Sequence, residues 1–141
     1  MIKGSCHCKN IEYHLKTETS INKLYLRKCE CSFCRKQGAV YTSDPEGVIF
    51  VKINNESNII KYKFSTKLVE FVICGKCGVM PYVSMAVNQD IYAAINLKSS
   101  QINLEGKEIK ILGVENESRK SSIKRRMKSW SKLVVSMQND I

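Results

Sequence analysis

No run of apolar residues in this 141-residue chain reaches the roughly 18 needed to span a bilayer. Its opening, Met1-Ile2-Lys3-Gly4-Ser5, lacks the apolar stretch of a secretory signal. A cytoplasmic location with no membrane partner is therefore expected. An even number of cysteines is also lacking: seven cannot pair off completely, and a reducing compartment disfavours a disulfide framework. Metal is the better use for these thiols. Nor do the totals point to disorder, since 43% of the residues are hydrophobic and 26% charged, ordinary values for a globular chain. The length suits one compact domain with an appendage.

Acidic residues are the scarcer charge, 13 against 23 basic ones, for a formal balance of +10. That balance counts each cysteine as a neutral thiol, whereas a zinc ligand is a thiolate. With all seven deprotonated around two zinc ions the charge falls to +7. The excess gathers at Arg119, Lys120, Lys124, Arg125, Arg126, Lys128 and Lys132, a run that reads first as a solvated helix face and second as a contact for nucleic acid or another acidic partner.

Helix signals are scarce before Gly113. Short alternating segments rich in β-branched and aromatic residues predict antiparallel strands with one solvated face. They span 11–16, 23–28, 39–42, 48–53, 59–64, 69–73, 82–86 and 91–96, with one more at 108–112. Turn residues punctuate them at 44–47, 54–58 and 88–90. Beyond Gly113, Ile123, Met127, Trp130, Val134 and Met137 recur at helical spacing, which predicts an amphipathic helix capped by Asn116 or Ser118. The division is thus 1–113 for a zinc-binding domain and 114–141 for a basic helical extension. The apolar face of that extension is expected to pack on the domain or on a second copy, as a homodimer.

Three clusters carry the chemistry: Cys6-His7-Cys8, Cys29-Glu30-Cys31-Ser32-Phe33-Cys34, and Cys74-Gly75-Lys76-Cys77-Gly78. In the last, two intervening residues let both sulfurs reach one ion, and the following glycine permits the tight turn of a zinc knuckle. A redox pair is the rival, but it needs a strand-to-helix setting, and both flanks read as strands. A knuckle supplies half of a tetrahedral shell, and Cys6 and Cys8 are the natural donors of the other half, closing a structural site. Cys29, Cys31 and Cys34 remain. Three ligands with a vacancy make a catalytic zinc site, unless Glu30, His7 or His14 closes it or the metal is absent.

These motifs, in order, resemble the family of glutathione-dependent formaldehyde-activating enzymes, which has a centromere-associated branch. Gly4-Ser5-Cys6-His7-Cys8 with Ile11-Glu12-Tyr13 is similar to the family's opening, Cys29 through Ala39 to its middle motif, and Cys74-Gly75-Lys76-Cys77-Gly78 with Pro81-Tyr82 to its third. The resemblance runs from about Lys3 to Gly113. It implies a mainly β, Mss4-like zinc-bound fold. It implies structural zinc at Cys6, Cys8, Cys74 and Cys77, and substrate-side zinc at Cys29, Cys31 and Cys34, the catalytic set. The implied activity is that of a carbon-sulfur lyase of the S-(hydroxymethyl)glutathione synthase type, with glutathione or another small thiol as partner. Glu30 stands where the family often has histidine. Arg35 and Lys36, directly after Cys34, are candidate anchors for an anionic thiol. The competing expectation is a non-enzymatic zinc module that contacts nucleic acid through its basic tail.

Overall fold

The computed structural model describes residues 1–113 and 117–137. Alternation sets the first elements. In β2 (Ile11–Lys16) the side chains of Ile11, Tyr13 and Leu15 are buried while Lys16 is exposed, and β5 (Val48–Ile53) lies antiparallel to it with Ile11 opposite Ile53. Each buries its apolar positions on the same side, because side chains two residues apart share a face. Outside β2 runs β1 (Ile2–Ser5). Here Gly4 is obligatory, since a Cβ would overlap the Tyr13 hydroxyl and the Ser99 carbonyl.

The remaining strands are β3 (Arg27–Cys29), β4 (Tyr41–Thr42), β6 (Ile59–Tyr62), β7 (Glu70–Cys74), β8 (Tyr82–Val87), β9 (Asp90–Asn96), β10 (Lys110–Leu112) and β11 (Ser131–Met137). All belong to one sheet, ordered β1-β2-β5-β11-β9-β4-β3-β10, from which β8, β7 and β6 branch at β9. One edge of β9 is shared: β11 pairs at Tyr92 and Ala93, β4 at Ile95 and Asn96. The other edge pairs with β8. Most pairings are antiparallel, as expected for this mainly β chain, but β11 runs parallel to β5 and β10 parallel to β3. Two apolar clusters result. The larger centres on Ile11, Leu15, Ile49, Val51 and Ile95 and includes Cys6 and Cys74; the smaller holds Phe71, Met80, Val83, Met85 and Trp130 around Cys34.

The tail departs from expectation. Helix α2 covers Arg119–Ser129, capped by the Ser118 side chain on the Ser121 N–H; the other candidate cap, Asn116, lies outside the described residues. The helix stops at Ser129, and the segment through Met137 is the strand β11, not a continuation of a helical face. Its inward positions alternate, Leu133, Val135 and Met137 packing on the larger cluster while Val134 is exposed. The apparent helical spacing of Trp130, Val134 and Met137 thus joins residues of two different elements. Trp130 is only 7% exposed and packs into the smaller cluster of its own chain. Hydrogen bonds fasten this corner: Ser43 Oγ donates to the Ser129 carbonyl at 2.6 Å, and Ser131 Oγ donates to the Asp44 carbonyl at 2.7 Å while accepting from the Asp44 N–H at 2.8 Å. No helix among the described residues is long and apolar enough to cross a membrane.

Candidate metal centres

The sulfurs of Cys6, Cys8, Cys74 and Cys77 all lie within 4.8 Å of one another. Cys6 and Cys8 come from the turn between β1 and β2, Cys74 from the end of β7 and Cys77 from the turn that follows. Sγ of Cys8 is 3.8 Å from that of Cys6 and 3.6 Å from that of Cys74. A tetrahedron with metal-sulfur bonds of about 2.3 Å has edges of about 3.8 Å, so the donors fit zinc in number, type and spacing. Backbone N–H groups face the sulfurs: Ile11 donates to Cys6 at 3.3 Å and Cys77 to Cys74 at 3.4 Å. Gly78 adopts φ 82°, as the knuckle turn requires, and its N–H donates to the Cys74 carbonyl at 2.8 Å. The flanks are strands β7 and β8, which removes the strand-to-helix setting of a redox pair. Burial pushes the Cys6 thiol up to about 12. Against its own burial, the backbone N–H groups of Val79 and Cys8 and the thiols of Cys74 and Cys6 pull Cys77 down to about 6.

The second cluster is local. Cys29 ends β3, Cys31 is the N-cap of α1 (Ser32–Gln37), and Cys34 lies inside that helix. The three sulfurs also fall within 4.8 Å of one another. Among the described residues no histidine or carboxylate joins them. Glu30 and His7 are exposed, and His14 stacks on Phe50 with ring centroids 4.9 Å apart. The donor set therefore fits a metal with three thiolates and leaves one position for another ligand. Cys34 N–H donates to Cys31 Sγ at 3.3 Å, and the buried Tyr41 hydroxyl lies 3.2 Å from Cys34 Sγ. Hydrogen bonding with Cys29 and Cys31, then burial, pushes the Cys34 thiol far up, while contacts with Cys29 and Cys34 hold Cys31 far down.

Cys29 and Cys34 border two hollows. The outer one, about 240 Å³, also meets Lys28, Glu30 and Arg35. The inner one, about 50 Å³, is walled by Phe71, Val83 and Trp130 and receives Arg27, Arg125 and Arg126. Of the two sequence-proposed anchors, Arg35 borders the outer hollow, and Lys36 lines neither. The three inner arginines differ in their partners. Arg27, 3% exposed, donates to the Tyr25 carbonyl at 3.1 Å and to Ser43 Oγ at 2.8 Å, and burial lowers it to about 10. Arg125 forms a two-pronged pair with Glu117 at 2.8 and 3.0 Å. Arg126 stacks its guanidinium 5.6 Å from the Trp130 ring, and its Nη1 is buried with no hydrogen-bond partner among the described residues.

The sequence reading grouped all seven cysteines as the structure does, but it missed Tyr41, Arg27 and Arg126. For Arg126 one signal was present: it lies one helical turn before Trp130, hence on the face already expected to pack. Of the other tail cations, Arg119 bonds the Thr66 carbonyl at 3.1 Å and Lys132 pairs with Asp90 at 3.1 Å, whereas Lys120, Lys124 and Lys128 are exposed.

The family model described as glutathione-dependent formaldehyde-activating enzyme matches residues 1–105. The crystal structure of a Rhodobacter sphaeroides protein is similar in fold, with a TM-score of 0.59 and 24% identity over 78% of this chain and 99% of that one. Among curated proteins, none matches.

Proposed function

Because the chain belongs to the family of glutathione-dependent formaldehyde-activating enzymes, we propose that it joins a small thiol, glutathione or a relative, to formaldehyde or another small carbonyl. This is the chemistry of a carbon-sulfur lyase, run in the direction of synthesis in a reducing cytoplasm. The observation that carries the reading is the three-thiol cluster: Cys29, Cys31 and Cys34 converge with no fourth ligand among the described residues, and two of them border hollows. Zinc held there supplies, when bound, a Lewis acid that keeps a thiol ionised near neutral pH.

The chain's own residues would do the rest. Tyr41 and the Cys34 N–H hold the sulfurs in place. The outer hollow, the larger, suits the body of the thiol, with Lys28 and Arg35 at its rim. The smaller inner hollow, with Phe71, Val83 and Trp130 among its walls, suits the small carbonyl. In the joining step the thiolate sulfur forms a bond to the carbonyl carbon. The carbon-oxygen π pair moves to oxygen, which takes up the proton that the thiol released. Cys6, Cys8, Cys74 and Cys77 would hold a second, structural zinc.

The rival reading, a non-enzymatic module on nucleic acid, draws less support, since Arg125 and Arg126 line the inner hollow. Glutathione titrated into cobalt-substituted protein tests the proposal. The metal-thiolate absorption is expected to change with thiol and to be silent in Cys34→Ser. A silent parent at millimolar thiol would sink it.

A further inference from the structure

Three arginines line the inner hollow, more donors than a neutral aldehyde can use. Arg125 is balanced by Glu117, and the Arg27 guanidinium by its carbonyl and hydroxyl acceptors, but Nη1 of Arg126 is buried without an acceptor among the described residues. A buried donor left unpaired is costly, and a charged one more so. An anionic acceptor is the partner that such a donor lacks.

Size narrows the anion. About 50 Å³ is a third of the roughly 150 Å³ that admits a benzene ring, so a group of a few heavy atoms fits and a tripeptide does not. A planar guanidinium matches a carboxylate in shape and hydrogen-bond geometry. Phe71, Val83 and Trp130 supply the apolar walls for a short carbon stem.

From this we propose that the inner hollow binds a small carboxylate through Arg126. Its size assigns that carboxylate to the carbonyl partner, making a short 2-oxo acid the favoured co-substrate rather than formaldehyde. Arg126 and Trp130 lie beyond the residues that the family model matches, so this preference belongs to the tail of this chain. The inference rests on the thiol-carbonyl reading for the chemistry, but the carboxylate site stands on its own geometry.

Trp130, the sole tryptophan, reports directly. Zinc-loaded full-length protein is titrated with glycolate and with its neutral isostere glycolamide, following Trp130 fluorescence. Glycolate is expected to bind roughly tenfold to a hundredfold more tightly. Arg126→Met should erase the preference with the far-ultraviolet dichroism unchanged, and Arg126→Lys should retain part of it. Equal affinities in the parent would overturn the site, as would an undiminished preference in a folded Arg126→Met. Should that variant not fold, the parent comparison and Arg126→Lys decide. The source of the carboxylate is read on cobalt-substituted protein with mercaptoacetate and 2-mercaptoethanol. Similar affinities, with glycolate displacing neither, support assignment to the carbonyl partner. Tighter binding of mercaptoacetate that expels glycolate would overturn that assignment in favour of the thiol. If no thiol alters the cobalt spectrum while glycolate still binds, the thiol chemistry fails and the carboxylate site survives.

Discussion

The two thiol clusters differ in reach before they differ in number. Cys6 and Cys8 meet Cys74 and Cys77 across 66 positions from Cys8 to Cys74, tying the first hairpin to the β7 turn within the larger apolar cluster. Cys29, Cys31 and Cys34 sit in six consecutive residues around a strand end and a one-and-a-half-turn helix. Cross-linking distant segments restrains the whole fold, whereas a local loop restrains little beyond itself. On the proposed reading, the fourth thiol stands where restraint is needed, and its absence from the local cluster leaves room for the thiol substrate.

The strongest attempt to break this contrast is Cys74→Ser. A structural zinc contributes on the order of 10 kcal/mol of coupled folding energy, comparable to the roughly 5–15 kcal/mol stability of a whole domain, so this variant should lack a cooperative melt. An unchanged melting temperature would reverse the roles of the clusters. Cys34→Ser is expected to stay folded and to lower bound zinc from two ions per chain to one, measured on protein purified without chelator. A loss of fold equal to that of Cys74→Ser would erase the distinction.

Finer is Tyr41→Phe, which removes the hydroxyl beside Cys34 Sγ. Metal affinity at the three-thiol site should drop roughly tenfold or more while the four-thiol site keeps its own, as competition with a chromogenic chelator would reveal. Smallest is Glu117→Gln, which should cost within about 1 kcal/mol. Hydrogen bonding from Arg125 holds the Glu117 carboxyl below its usual range. A carboxylate lowered by folding contributes stability above its unfolded value and loses it as pH falls through the folded one. The parent should therefore lose its advantage over the variant below the ordinary carboxylate range, and melts across acid pH would expose any opposite trend.

What could be read in advance followed from local pattern. β2 and β5 have the bounds that alternation predicted, and the cysteines sorted as their spacing implied. β1 was missed because Gly4 and Ser5 leave four residues without a clear period, and α1 because its first three of six residues belong to the cysteine motif. The helical reading of 130–137 failed because β11 owes its form to β5 and β9, neighbours far away in sequence. Arg27 and Arg126 meet at one cavity only after β3 and α2 are docked, and no spacing rule encodes such a meeting.

The position of β11 has a consequence for biosynthesis. Last of the described strands to leave the ribosome, it fills the seam between β5 and β9. Until it arrives, both neighbours present open edges of the kind that invite pairing with other chains. Sheet closure is thus postponed until translation has passed Met137, and a nascent chain stalled before Ser131 would carry an unsealed gap through its middle.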